Sequence, residues 1–356
     1  MDPTAPAGTA PGLKKRITIS DIAERAGVTA AAVSLAINGR PGVSDTTRAR
    51  ILAIADELNW RPSHAARALA GANVGCIGMV WARPAEVIGS EAFFGSFMAG
   101  LQEVLSSADY SVQMKIVKDT AAEIATYGRW FSQRRVDGVV MLDLKVEDPR
   151  IPVLEELGRP ALVIGGPGHH GSLPAIYVDD AQAMYLVMEH LTERGHRRIA
   201  HVTGTPDFLH TAQRHAAFAE CCAERGVEGI ERDASAAGAE AVTRELLALP
   251  QPPTAVIYDS DEQTLAGTAV MRAEGVAIPE DVAVVSFEDS RLMELYQPSI
   301  TAIARSAVDY GRAAGHRILQ MVGAAEELST DERRSGSEAE IQVLVPSLTV
   351  RASTGS

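Results

Sequence analysis

Residues 18–37 read Thr18-Ile-Ser-Asp-Ile-Ala-Glu-Arg-Ala-Gly-Val-Thr-Ala-Ala-Ala-Val-Ser-Leu-Ala-Ile37. Ile19, Ile22, Ala23 and Ala26 recur at three- and four-residue steps, which places them on one face of a short helix. Thr18, three residues before Asp21, is spaced as a capping pair, and Gly27 ends the helix. Thr29 can cap a second helix that turns Val33, Ala36 and Ile37 inward. Two short helices joined by a glycine-containing turn form either an ordinary helical hairpin or a helix-turn-helix, whose second helix enters the major groove of DNA.

The residues that follow extend the pattern. Ser44 is placed to cap a third helix in which Ile51, Ile54, Ala55 and Leu58 form an apolar face and Thr47, Arg48 and Arg50 a wet basic one. Helices this short bury a core only together. Beyond Pro62, the run 63–71 is helix-prone and stops at Gly71, but it is too brief to be stable without a partner surface.

Charge separates this head from the remainder. The net charge of −13 argues against nucleic-acid binding only if it is evenly spread. Residues 1–71 hold nine Lys/Arg against six Asp/Glu, a net +3, which leaves −16 to the rest. A basic head on an acidic body can approach phosphates while the body discourages indiscriminate adhesion. Residues 1–16, rich in Pro, Ala and Gly and ending Lys14-Lys15-Arg16, are expected to be a disordered arm with its basic end near the DNA backbone. They have no signal-peptide core, and no later run is apolar enough to span a membrane, so a cytoplasmic protein is expected, nucleoid-associated when bound to an operator.

From residue 74 apolar runs alternate with helical ones. Strands are expected at 74–81, 111–117, 137–141, 160–165, 199–202, 254–258 and 282–285. The helices between them are expected at 93–108, 121–134, 151–157, 181–193, 212–224, 236–248 and 264–273. This rhythm predicts an α/β body of parallel sheets covered on both faces, in two similar halves with a cleft between them.

The head resembles the LacI/GalR family of bacterial transcription regulators. The matching pieces are Ile19 to Val28, Val33-Ser34, Asn38-Gly39, Val43-Ser44, Thr47-Arg48, Glu57-Leu58, Arg61-Pro62, Ala66-Arg67 and Leu69-Ala70. The body adds Asp137-Gly138, Gly195 to Ile199, Gly275 with Ile278 to Val282, Phe287-Glu288-Asp289, Pro298, Thr301 and the ending Val345 to Thr354. The resemblance implies a small all-α helix-turn-helix domain (17–60), a hinge helix and linker (61–73), and a periplasmic-binding-protein-like body of two interleaved α/β subdomains (74–345). The subdomains are expected at 74–175 plus 304–334 and at 176–303 plus 335–345, with a C-terminal tail at 346–356. The chain is expected to cross between them three times.

By the same resemblance Ala30, Ala31 and Leu35 face base edges. None of these side chains can hydrogen-bond, so operator choice would lean on thymine-methyl contact, DNA shape and the polar neighbours Thr29, Ser34 and Asn38. Thr29 can instead be only a cap, Ser34 can bond its own backbone, and Asn38 can simply end the helix. Arg48 and Arg61 are expected on phosphates. Leu69 is implied to wedge between base pairs in the minor groove, kinking the duplex while two hinge helices pack together. A homodimer on a pseudo-palindromic operator follows from the symmetry of such sites.

For the effector, the resemblance points to Arg214, whose planar fork suits paired ligand oxygens. It also points to Ser260, Asp261 and Glu288 around the pocket, where carboxylates can accept hydroxyl hydrogens. Trp81, Phe93 and Phe94 could offer an apolar wall to a sugar ring, or belong to the core. The expected effector is a sugar that releases a repressor; a purine or another metabolite acting as co-repressor is the alternative, and a sugar-uptake binding protein is a third reading that leaves residues 17–71 unexplained. No hydrolase, metalloprotease or P-loop motif is present, so an enzyme is not expected. No cofactor or metal is expected either: Cys76, Cys221 and Cys222 have no ligand spacing, and the histidines form no closed ligand set.

Replacing Leu69 by Ala is expected to weaken operator binding and reduce DNA bending in a gel-shift assay while leaving effector binding nearly unchanged. Unaltered affinity and bending would exclude the wedge.

Overall fold

Thr18 and Asp21 close the first turn of the head as their spacing predicts. The Asp21 N–H donates to Thr18 Oγ1 at 3.4 Å, and the Thr18 N–H donates to Asp21 Oδ2 at 2.7 Å. The chain is a computed structural model that describes residues 17–37, 39–58, 60, 73–234, 238–324 and 340–355. It divides into two units, Met1–Val74 and Gly75–Ser356.

In the first unit α1 (Ile19–Ala26) ends at Gly27, which takes the left-handed conformation at φ 63° that a side chain would resist. In α2 (Ala30–Ile37) the Ala32 N–H donates to Thr29 Oγ1 at 3.2 Å, and in α3 (Asp45–Glu57) the Thr47 N–H donates to Ser44 Oγ at 3.4 Å. Ile22, Val33 and Ile51, one from each helix, are fully buried at the centre. Each helix is too short to hold alone, so this shared core is what stabilises the motif. The expected hinge helix at 63–70, with Leu69, lies outside the described residues, as do Asn38 and Arg61.

The second unit begins with β1 (Cys76–Trp81), α4 (Ala85–Ser90), α5 (Ala92–Ser107), β2 (Ser111–Ile116), α6 (Thr120–Ser132), β3 (Gly138–Met141), α7 (Arg150–Leu157), β4 (Ala161–Ile164) and β5 (Ala175–Val178). It continues through α8 (Asp180–Glu193), β6 (Arg198–Thr203), α9 (Leu209–Arg225), β7 (Glu228–Asp233), α10 (Ala239–Leu247), β8 (Ala255–Tyr258), α11 (Asp261–Ala273), β9 (Ala283–Ser286), α12 (Arg291–Leu295) and β10 (Thr301–Ala304). It closes with α13 (Ala307–Met321), β11 (Glu340–Leu344) and β12 (Ser347–Thr349).

Two six-stranded sheets result, ordered β11-β5-β4-β3-β1-β2 and β12-β10-β9-β8-β6-β7. All pairings are parallel except β10 with β12. The central strands are buried throughout, which is why they read as unbroken apolar runs.

The chain passes between the halves after β5, after β10 and between β11 and β12. This corrects the expected partition in two places. The first half reaches Val178 and includes β11, because strand 340–344 pairs in parallel with β5 rather than joining the second half. The tail is no appendage: Ser353 and Thr354 are buried, with Ser353 Oγ donating to the Val284 carbonyl at 2.6 Å and accepting the Thr301 N–H at 2.8 Å. Among the described residues no helix is long and apolar enough to cross a membrane, and no group of three or more His, Cys, Asp or Glu is placed to hold a metal.

Helices α5 and α13 approach more closely than side chains allow. A Cβ on Gly311 would sit 2.0 Å from the Phe97 carbonyl oxygen, and one on Gly100 would sit 1.9 Å from that of Val308. Backbone cannot yield as a flexible side chain would, so Gly311→Ala is expected to destabilise the body by about 1–3 kcal/mol, read as a lower urea midpoint.

Candidate functional site: the cleft and the DNA-facing helix

On α2 the residues expected at the DNA form two groups. Thr29, Ala30 and Ala31 are exposed, whereas Ser34 and Leu35 are half-buried, Leu35 lying over the Gly42 turn. Arg48, expected on phosphate, spends its guanidinium inside the head, donating to the carbonyls of Ala36 at 3.0 Å and Arg40 at 2.8 Å. It ties α3 to the end of α2, satisfying carbonyls that a helix terminus leaves open.

Between the two halves of the body lies a cleft of about 540 Å³ at the carboxyl ends of the parallel strands, where open α/β sheets place their ligands. The first half contributes Phe93, Phe94 and Arg83. Arg83 grips Asp143 in a bidentate pair at 2.7 and 2.8 Å, reaches Glu91 at 3.5 Å, and lies 4.4 Å over the Phe208 ring from the second half. Such stacking on an aromatic face adds attraction to the ion pair.

The second half supplies a connected charge cluster. Arg214 donates to Asp180 Oδ1 through Nε at 2.8 Å and NH2 at 2.6 Å, and its NH1 lies 3.2 Å from Asp259 Oδ1. Its guanidinium also covers the Phe287 ring at 4.3 Å. Arg305 meets the same Asp180 oxygen at 2.9 Å and Glu288 Oε1 at 2.6 Å. Behind Asp259, the fully buried His201 bridges Asp259 Oδ1 and Glu231 Oε1, each at 3.0 Å.

The electrostatics follow from these contacts. Burial opposes ionisation of Asp259, but Arg214 and His201 beside it hold its carboxyl well below the usual carboxylate range. Burial also opposes a charge on His201, yet Asp259 and Glu231 raise it above its ordinary value. For His210 the compensation falls short: burial, reinforced by Arg214, outweighs the pull of Asp180 and Asp143 and pushes its imidazole down to about 4, so it is neutral near pH 7.

The sequence-predicted residues are thus only partly brought together. Phe93, Arg214, Ser260, Asp261 and Glu288 all line the cleft. Arg214, however, commits its fork to Asp180 and Asp259, and Ser260 is occupied as the cap of α11, its Oγ accepting the Gln263 N–H at 3.2 Å. Trp81 does not form the expected wall. It is 3 % exposed and packed against Phe94 in the core of the first half, because every residue of β1 is covered on both faces. Asp180, Arg305, Arg83 with Asp143, and Phe208 were not singled out by sequence reasoning; each owes its place to a partner far along the chain.

A three-helix DNA-reading module and a two-lobed α/β body with a cleft define the class of regulator whose DNA-binding and ligand-binding parts are separate domains. Residues 18–63 match the model described as "Bacterial regulatory proteins, lacI family", and residues 188–354 that of a periplasmic binding protein-like domain. The chain is similar to the HTH-type transcriptional regulator AglR of Rhizobium meliloti, 31% identical over 95% of this chain and 94% of that protein. It is also similar to the HTH-type transcriptional regulator CelR of Thermobifida fusca, 29% identical over 87% of this chain and 93% of that one. Among solved structures it is similar to a transcriptional regulator CelR–cellobiose complex, 27% identical over 95% of this chain and 100% of that chain, with a TM-score of 0.68. The chain belongs to the LacI family: it is a DNA-binding transcriptional regulator and not an enzyme.

Because His201 has a folded pKa above its ordinary 6.5, its contribution to stability is full below about pH 6.5 and is lost as pH rises through the raised value. His201→Gln is therefore expected to flatten the decline in urea midpoint on the alkaline side of pH 6.5. Parallel wild-type and variant profiles would exclude the buried charged histidine.

Proposed function

We propose that this regulator is a repressor of carbohydrate-utilisation genes, released from its operator by a sugar. The observation that carries the reading is the cleft itself: an apolar wall from Phe93 and Phe208 beside carboxylates at Asp261 and Glu288, in a volume suited to a small-molecule ligand. Aromatic faces pack on the C–H face of a sugar ring, and carboxylates accept its hydroxyl hydrogens. The similarity to a regulator solved with cellobiose supports the same effector class.

In this mechanism two copies of the chain form a homodimer that sets its heads on the half-sites of a pseudo-palindrome, with Ala30, Ala31 and Leu35 toward base edges and Thr29 and Ser34 beside the backbone. In this proposal residues 63–70 act as the hinge helix, with Leu69 as the wedge. Sugar binding favours a body conformation that does not support the hinge, so the population shifts away from DNA. The shift can only be as large as the sugar's preference for that conformation.

The test is operator binding by the purified full chain, at stated salt, against fragments of its own genomic neighbourhood, with and without mono- and oligosaccharides. Release by a sugar is expected. Operator binding that no sugar alters but a purine strengthens would replace this reading with a co-repressor mechanism.

Arg214→Ala would take a guanidinium from two buried carboxylates, Asp180 and Asp259, and confuse loss of folding with loss of response. Asp261→Asn keeps the shape and is the cleaner probe. It is expected to retain operator affinity while raising the sugar concentration needed for release roughly tenfold or more.

A further inference from the structure

The cleft holds more negative charge than it can neutralise. Its cations are already engaged: Arg83 with Asp143 and Glu91, Arg214 with Asp180 and Asp259, Arg305 with Asp180 and Glu288. Lys145, at the mouth, lies 4.0 Å from Asp207. His210 is neutral near pH 7. Every guanidinium that a phosphate or carboxylate could seek is thus held by a carboxylate of the protein.

Two acids are left over. Asp261, 4 % exposed, and Glu262 both line the cleft in the first turn of α11 with no described cation in ion-pair range; the Asp261 side chain accepts the Glu262 N–H at 2.9 Å. The helix N-terminus makes negative charge more tolerable at this position. Glu91 and Glu288 stand in the same cleft.

Building on the reading of this cleft as the effector site, we propose that it selects effectors without negative charge, ligands that donate several hydrogen bonds, and rejects sugar phosphates and sugar acids. A hydroxyl or ammonium group meets acceptors at Asp261, Glu262 and Glu288. An anionic group meets like charge in a partly dehydrated space, and to win an arginine it must displace a carboxylate that then stays buried. The titration of the site agrees. Burial, and after it the neighbouring carboxylates against the pull of Arg83, pushes Glu91 up to about 7, and burial with Glu288 and Glu262 raises Asp261.

The experiment is calorimetric titration of the full-length protein at pH 7.5 and fixed salt with matched pairs. Each pair is one skeleton in uncharged and anionic form: cellobiose, maltose and trehalose with their phosphates, and adenosine and guanosine with their monophosphates. The uncharged member of whichever pair binds is expected to bind at least about tenfold more tightly, and Glu262→Gln is expected to narrow that ratio. An anionic sugar binding as tightly as its neutral counterpart would overturn the charge selection and leave the sugar reading standing. A purine nucleoside binding where no sugar does, and better than its monophosphate, would remove the sugar reading and keep the charge selection. Binding by no member of the panel would overturn both.

Discussion

Asp180 is the point on which the body turns. A carboxylate this deeply buried is tolerable only when cations and hydrogen bonds replace the water it has lost. Here one oxygen receives three guanidinium contacts, two from Arg214 on α9 and one from Arg305 just after β10. Asp180 itself lies two residues beyond β5, where the chain first passes between the halves, and Arg305 marks the second passage. The ion cluster therefore ties two of the three connecting segments to each other and to the wall of the cleft.

Charge balance explains why the cluster extends so far. Two arginines on one aspartate leave an excess of positive charge, and Asp259 and Glu288 each take part of it. Asp259 in turn favours the protonated form of His201, as does Glu231 from the other side. Each buried charge is acceptable because of the next. A hydrogen-bonded network of this kind is rigid when complete and costly when one member is lost. In the proposed mechanism a ligand in the cleft would act beside the segments that connect the halves, where a small displacement has the largest effect on their relative orientation.

The head was legible residue by residue, because its information is local. Thr18, Ser44 and Gly27 act as caps within a turn of themselves, and the three-to-four spacing of Ile22 and Ala26 or of Ile51 and Ala55 is the burial pattern observed. The alternation of strands and helices in the body was legible for the same reason. Elements that broke local rules were missed. Strand β7, Glu-Gly-Ile-Glu-Arg-Asp, is a polar edge strand, and α13 carries Gly311 and Gly315, poor helix formers placed where α5 leaves no room for a side chain.

The order of elements and the basic head on an acidic body could be read from the chain alone, whereas the cleft residues Arg214, Asp261 and Glu288 came from the resemblance to a family. Short-range capping, periodicity and charge count depend on residues near one another in sequence. What Arg214 does could not be read, nor that Trp81 is core, that β11 joins the first sheet, or that the cleft's arginines are already spoken for. Those outcomes rest on pairs such as Arg305 with Asp180, 125 residues apart, and Arg83 with Asp143, 60 apart. A charged side chain carries no mark of which distant partner will reach it; burial and close approach settle that only when the sheets are assembled.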